Sequence, residues 1–378
     1  MKAVFTQKPH YARLDALRGV AALIVIVYHV FECFTWTPLP RGYLAVDFFF
    51  VLSGFVIGYA YDDRWGHGLS TWNFFRRRLV RLHPMVVMGT AIGAVCFVLQ
   101  GSVRWDGSAV GWGVVLVAML LGMLLLPLPV GAAPDVRGNG ELFPLNGPHW
   151  SLFFEYLGNV CYALLLRQLP TRWLAAVCGL AGAVLAWIAV GDGYLGVGWT
   201  MAEGGLWTGF VRMLFPYSVG MLMARLSPSL RAGHSSLVTR HLSFLAASLA
   251  CVLVAVLPLF FGECPSWLNG LYDFLCVAIV FPAIVWSMTR QGASRGGRWQ
   301  TMLGDLSYPL YAVHYPLMYL FYAYIGFSGN LVPIAELDRV WPVALALPFA
   351  CILLGWLCLR FYDIPVRRWL RAHHGVSS

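Results

Sequence analysis

Residues 14–31 read LDALRGVAALIVIVYHVF, an apolar run that carries a guanidinium and an imidazole inside what is otherwise a membrane helix. Arg18 and His29 are eleven residues apart. At about 3.6 residues per turn this is close to three turns, so both side chains lie on one face, roughly 16 Å apart. The alternative without a function is that Arg18 extends to the lipid headgroups and His29 is a hydrogen-bonded residue of the helix packing. Because ionisable residues inside membranes usually face a cavity, the pair in register favours a functional site.

The whole chain has the composition of a membrane protein. Of its 378 residues 59% are hydrophobic and 11% are charged, whereas charged residues make up about 25% of soluble domains. We predict one all-α polytopic domain, residues 1–378, without an appended soluble module. The net charge of +9 comes from short basic clusters between apolar runs, which is typical of cytoplasmic loops, so we expect no nucleic-acid partner. Nine cysteines without a CxxC pair predict buried apolar residues, not a metal site or a disulfide framework.

Eleven apolar segments approach the ~20 residues that a bilayer requires. They are 14–34, 43–61, 84–100, 110–128, 149–166, 172–190, 206–224, 242–261, 270–289, 302–325 and 341–361. If every basic cluster is cytoplasmic, the stretch from Arg81 to Arg167 must cross an even number of times, yet it holds three segments. We therefore predict about ten transmembrane helices, with 110–128 re-entrant or interfacial; eleven spans with one basic cluster outside is the alternative. Both ends, 1–13 and 362–378, are expected in the cytoplasm, with the first helix retained.

Charged residues flank the second predicted span. Asp47 lies near its outer end, where it is either a helix-start acid or part of a site. Arg77, Arg78 and Arg81 follow the span within the densest basic cluster. They are explained by topology alone, or they form a patch for an anionic cytosolic ligand, since arginine matches phosphate oxygens.

Two later spans also carry polar groups. Trp150, Ser151 and Glu155 open the segment 149–166, and a carboxylate one turn into a membrane needs a partner or a proton. Ser151 and Glu155, four apart, share a helix face. Tyr311 and His314, three apart, share a face of the segment 302–325, and His314 at mid-span is expected to line a cavity.

Together these motifs resemble the acyltransferase-3 family of integral membrane O-acyltransferases. The matching stretches, in the family's order, are LDALRGVAALIVIVYHV, GYLAVDFFFVLSGFVIG, FFRRRLVRLHP, HWSLFFE, LGDLSYPLYAVHYPL and DIPVRRWL. Six motifs in order are far more specific than one. Ala45 stands where a glycine is common, a modest departure.

The resemblance implies transfer of an acyl group, most often acetyl, from cytosolic acyl-CoA to a hydroxyl of a glycan or glycoconjugate such as an exopolysaccharide. It implies acetyl-CoA as co-substrate, no metal, a stand-alone form and the bacterial inner membrane. By the family's motifs, His29 is the catalytic histidine and Arg18 its partner in the acyl-donor channel. The arginines after the second span would lie near the CoA phosphates.

The chemistry agrees, because a sugar hydroxyl needs a base with a pKa near 7 and histidine supplies one. Glu155 or Asp47 could orient His29 as the carboxylate of a triad does; an acyl-histidine intermediate is the competing scheme. The predicted site groups are catalytic His29, Arg18 and Glu155; donor-binding Arg18, Arg77, Arg78, Arg81, Tyr311 and His314; and acceptor-binding Asp47, Trp150 and Ser151.

The alternative function is a transporter or flippase of a saccharide or lipid-linked precursor, whose intramembrane charges would line a substrate path. Transporters commonly contain inverted repeats, and no convincing internal repeat is found in this chain. A third alternative is a non-catalytic subunit of a synthesis complex. The expected partners are acyl-CoA, a glycan or glycolipid and membrane lipid, with a second copy or polysaccharide synthesis machinery as further candidates.

Overall fold

The computed structural model describes residues 11–128, 134–201, 204–227, 237–290 and 297–374. These residues form α-helices and no β-strand apart from isolated bridges, which confirms the all-α class. The predicted cytoplasmic ends, 1–13 and 362–378, lie partly outside the described residues. The helices are α1 (Ala12–Phe31), α2 (Ala45–Tyr61), α3 (Thr71–Leu99), α4 (Trp112–Met123), α5 (His149–Leu164), α6 (Thr171–Asp192), α7 (Gly205–Leu226), α8 (Leu237–Val256), α9 (Ser266–Leu275), α10 (Phe281–Arg290), α11 (Arg298–Val313), α12 (Tyr315–Tyr324), α13 (Leu337–Cys358) and α14 (Ile364–His374).

Each of the eleven predicted apolar segments contains a helix. Within the described ranges, seven helical runs are long and apolar enough to cross a membrane by themselves, so the polytopic class is confirmed while the count of spans stays a prediction. Helix α4 has 12 residues and extends only about 18 Å, less than the ~30 Å hydrocarbon core. This length agrees with a re-entrant or interfacial role for 110–128.

The outer helices present large apolar side chains to the surroundings. Leu180 and Trp187 on α6, and Leu345 and Phe349 on α13, are all more than half exposed. Exposed apolar surface of this extent would aggregate in water but suits contact with lipid. The chain is a membrane protein.

Helices α2 and α7 touch backbone to backbone because glycines lie at their crossing. A Cβ on Gly54 would lie 2.0 Å from the carbonyl oxygen of Tyr217, and one on Gly220 would lie 2.1 Å from that of Val51. Small residues allow this close approach between membrane helices. The contact fixes the register of α2 against α7 and thereby the position of their polar side chains.

The predicted segment 302–325 is interrupted at His314, which ends α11 and precedes α12. Pro316 lies in the first turn of α12, where its missing N–H and its effect on the preceding residue favour a break. Tyr315, Tyr319 and Tyr322 follow at spacings of four and three, so their side chains lie on one face of α12.

Candidate active site

Two adjoining cavities lie between the helices. The first, here called the arginine cavity, has a volume of about 60 Å³ and is lined by Arg18, Arg78 and Arg81 among apolar residues of α2 and α5. The second, the histidine cavity, has a volume of about 420 Å³, and His29 lies in its wall. Tyr311 and Val46 line both cavities. Arg18 and His29, three turns apart on α1, therefore line two neighbouring cavities that share part of their walls.

A carboxylate that the sequence analysis missed holds His29. The His29 Nδ1 lies 2.8 Å from Oε2 of Glu32, which follows the last residue of α1. The hydroxyls of Tyr315 and Tyr322 each donate to Glu32 Oε1 at 2.8 Å. The two hydroxyls hold the Glu32 carboxylate in place beside the imidazole. Glu32 thus fixes the tautomer with the proton on Nδ1 and leaves Nε2 to accept a proton.

Aromatic rings fix the plane of the His29 imidazole. The ring of His314 stacks on it with centroids 5.4 Å apart, and Tyr315 contacts it edge-on at 4.7 Å. His314 is fully buried, its Nδ1 donates to the Tyr311 carbonyl at 2.8 Å, and it lines neither cavity. The expectation that His314 lines a cavity is wrong, because its ring packs against His29 and its Nδ1 is bonded to the Tyr311 carbonyl.

Asp47 has a different partner from the predicted one. It accepts from Arg212 Nε at 2.9 Å and from Nη2 at 2.7 Å, and both side chains are fully buried. Arg212 also donates to the carbonyls of Val197 and Tyr43. Asp47 therefore neither orients His29 nor lines the histidine cavity, and its predicted acceptor-binding role is corrected. The missed signal was Arg212 itself, an arginine inside the apolar segment 206–224.

Glu155 belongs to the arginine cavity. Its Oε1 lies 2.8 Å from Arg78 Nη2 and accepts from Ser53 Oγ at 3.3 Å. The prediction that Glu155 orients His29 is wrong, since α5 directs this carboxylate toward the arginine on α3, and Glu32 occupies the position beside His29. Glu155 instead holds Arg78 in place.

Of the arginines predicted to bind the acyl donor, some line the arginine cavity and one does not. Arg18 contacts Asp15 at 3.3 Å and lines the arginine cavity with Arg78 and Arg81. Arg77, on the same turn of α3, is half-buried and does not line that cavity. The spacing that places Arg78 and Arg81 on one face of the helix therefore separates them from Arg77.

Tyr311 and Ser151 lie where the cavities meet. Their hydroxyls share a hydrogen bond of 2.6 Å, and Ser151 Oγ also donates to the Pro148 carbonyl at 3.0 Å. Ser151 lines the arginine cavity, whereas Trp150 lines the histidine cavity beside Arg212. The start of α5 thus contributes one side chain to each cavity, as successive helix positions point in different directions.

Metal ligands are not assembled at this site. Within the described part of the chain, no group of three or more His, Cys, Asp and Glu side chains is arranged to hold an ion. All nine cysteines are unpaired, and seven of them are buried. The arrangement instead places an imidazole, its carboxylate partner and three guanidinium groups around two neighbouring cavities.

Comparison with known proteins identifies the class. The family model for acyltransferase-3, described as "Acyltransferase domain", matches residues 11–361. The chain therefore belongs to the acyltransferase-3 family and is a membrane acyltransferase. The match favours the enzyme over the transporter alternative.

Individual relatives agree with this assignment. "Protein 2 in picA locus" of Rhizobium radiobacter is 38% identical over 179 residues, which is 46% of this chain and 91% of the relative. "Putative membrane-bound transacylase BcsY" of Komagataeibacter xylinus is 26% identical over 82% of this chain and 74% of its own length. "Putative O-acetyltransferase SACOL0978" of Staphylococcus aureus (strain COL) is 42% identical over 20% of this chain and 12% of its own length. No solved structure matches significantly.

Proposed function

We propose that this acyltransferase moves an acetyl group from cytosolic acetyl-CoA to a hydroxyl of a glycan or glycoconjugate on the other side of the bacterial inner membrane. The observation that carries the proposal is the His29–Glu32 pair in a large cavity that adjoins a second cavity lined by three arginines. This arrangement provides separate places for a polyanionic donor and a hydroxyl acceptor, with their contact at Tyr311.

The arginine cavity suits the donor. Arg18, Arg78 and Arg81 offer guanidinium groups that bind phosphate oxygens, and Glu155 keeps Arg78 oriented. Val56 and Ile57 add apolar wall for the less polar thioester arm. Since coenzyme A is cytosolic and the densest basic cluster lies on α3, we place this cavity on the cytoplasmic side, with both chain ends in the cytoplasm.

The histidine cavity suits activation of the acceptor. In the proposed reaction His29 Nε2 takes the proton of the acceptor hydroxyl as its oxygen attacks the thioester carbonyl. The new C–O bond forms, the C–S bond breaks, and the imidazolium returns the proton to the departing thiolate. Glu32 stabilises the transient imidazolium, as the carboxylate does in a triad.

The test uses the full chain in proteoliposomes with radiolabelled acetyl-CoA and glycan isolated from cells that lack the gene. We expect label in the glycan, and we expect His29→Ala to abolish it because the variant lacks the proposed base. His373→Ala is the matched control, since His373 is an exposed histidine on α14. Retained transfer in His29→Ala, or no transfer by the unmodified protein, would overturn the proposal.

A further inference from the structure

A second carboxylate lies in the wall of the histidine cavity, in the segment before α5. Glu141 is only 7% exposed, and it lines the cavity together with Asn139. Its Oε1 accepts from Asn139 Nδ2 at 2.8 Å, and its Oε2 accepts from the Tyr319 hydroxyl. Each carboxylate oxygen can accept two hydrogen bonds, so Glu141 is held in place and still has capacity for a ligand.

Helix α12 connects this carboxylate to the proposed catalytic pair. Tyr315 and Tyr322 donate to Glu32, whereas Tyr319, between them on the same helix face, donates to Glu141. One row of three hydroxyls therefore holds both carboxylates on the same cavity. A ligand bound at Glu141 lies in the space into which His29 projects.

Two partly exposed aromatic side chains line the same cavity as Glu141. Trp199 and Tyr194 line the cavity and are 40% and 46% exposed. The Leu142 N–H donates to the Trp199 carbonyl at 2.9 Å, which fixes this backbone beside that of Glu141. A sugar ring presents C–H groups on its faces and hydroxyls on its rim. An aromatic surface beside a hydrogen-bond acceptor therefore fits a sugar better than it fits a lipid tail.

The charges in the cavity wall limit which sugar fits. Besides His29, the charged side chains among the described lining residues are Glu32, Glu141 and Arg212. Arg212 is neutralised by its two hydrogen bonds to Asp47. Arg137 lies behind Tyr319, with its guanidinium 3.8 Å from the ring centroid, and is not in the wall. An anionic ligand would therefore face two carboxylates without an unneutralised cation from these residues.

We propose that Asn139 and Glu141 form an acceptor subsite for a sugar unit that is uncharged or carries an amino group, and that this subsite disfavours uronic acid, sulfated and phosphorylated units. This inference rests on the proposed acyl transfer. It adds the class of the acceptor and assigns its recognition to residues other than the base.

The first test locates the O-acetyl group. Surface glycans from cells with and without the gene are compared by mass spectrometry, and the acetylated unit is assigned by NMR. We expect the gene-dependent acetyl group on a neutral or amino sugar. An acetyl group on a uronic acid, or on a unit bearing phosphate or sulfate, would overturn the subsite and leave the acyl transfer intact. The absence of any gene-dependent acetyl group would instead overturn the proposed function and the subsite with it.

The second test changes Glu141 alone in the full chain, with acetyl-CoA and the glycan isolated from cells lacking the gene. Because a hydrogen bond to a charged group is lost, Glu141→Gln should raise KM for the glycan about tenfold while kcat changes less than about twofold. KM for acetyl-CoA should not change, which shows that the variant is folded. Glu336→Gln, at an exposed acid, is the matched control. An unchanged KM for the glycan in Glu141→Gln would contradict the assignment.

Discussion

The arginine cavity and the histidine cavity differ in size, charge and wall. The first is about 60 Å³, with three guanidinium groups and one carboxylate that holds one of them. The second is about 420 Å³, with two carboxylates, one neutralised arginine and many aromatic rings. A slot with net positive charge suits a phosphate-bearing donor, whereas a wide aromatic space without an unneutralised cation among its described lining residues suits an uncharged ring. Under the proposed function, the difference would let one bundle separate donor from acceptor by charge, with their reacting ends near Tyr311, which lines both cavities.

The largest effect should come from the carboxylate of the proposed catalytic pair. Glu32→Gln keeps the shape of the side chain but removes the charge that orients His29 and stabilises its protonated form. By analogy with catalytic triads we expect kcat to fall roughly 10³–10⁴-fold, with KM for acetyl-CoA unchanged. The measurement is steady-state acetyl transfer in proteoliposomes. A loss smaller than tenfold would show that Glu32 only packs against His29. The histidine cavity would then no longer be assigned the catalytic pair.

A smaller effect should distinguish the role of the arginine cavity from that of the histidine cavity. Arg81→Gln removes one guanidinium from the arginine cavity, so KM for acetyl-CoA should rise about tenfold while KM for the glycan stays the same. Acetyl-pantetheine, which lacks the nucleotide and its phosphates, should be used equally well by Arg81→Gln and the unmodified protein. Arg339→Gln, at an exposed arginine of α13, is the control. If KM for the glycan rose instead, the roles of the two cavities would be reversed.

The smallest effect concerns pH and the proposed acceptor subsite. Burial raises the pKa of Glu141 to about 7, although Tyr319, Asn139 and Arg137 act to lower it; Asp135, the other nearby charge, acts to raise it. Glu141 is therefore ionised above pH 7 and protonated below it. KM for the glycan should rise several-fold between about pH 8 and pH 6, because the protonated carboxyl is the weaker acceptor.

The control for this pH dependence is Glu141→Gln, in which the rise in KM should disappear while the pH dependence of kcat remains. If the rise in KM persists in the variant, another group is responsible and the subsite loses this support.

Some of this architecture follows from local spacing. The eleven-residue interval between Arg18 and His29 places both on cavity walls, and the interval between Arg78 and Arg81 places both on one face of α3. The same rule could have found Glu32, three residues after His29, and the row of tyrosines on α12. These features can be predicted from the sequence because helical periodicity alone decides which side chains share a face.

Other ion pairs could be identified only from the packed helix bundle. Asp47 pairs with Arg212, 165 residues further along the chain, and Glu155 pairs with Arg78, 77 residues away. From sequence, either acid could have reached His29, because periodicity gives the face of a helix but not the helix opposite. The contact that decides it for Asp47 is the close approach of α2 to α7 at Gly54.

The sequence by itself determined an all-α membrane protein of the acyltransferase-3 type, with a histidine and several arginines turned inward. Apolar length and helical periodicity are local properties of the chain, so they can be read without a structure. Only the tertiary structure decided that Asp47 and Glu155 pair with arginines and that the inward residues line two neighbouring cavities. Those outcomes depend on the register between helices distant in sequence, which is set where glycines allow backbones to meet.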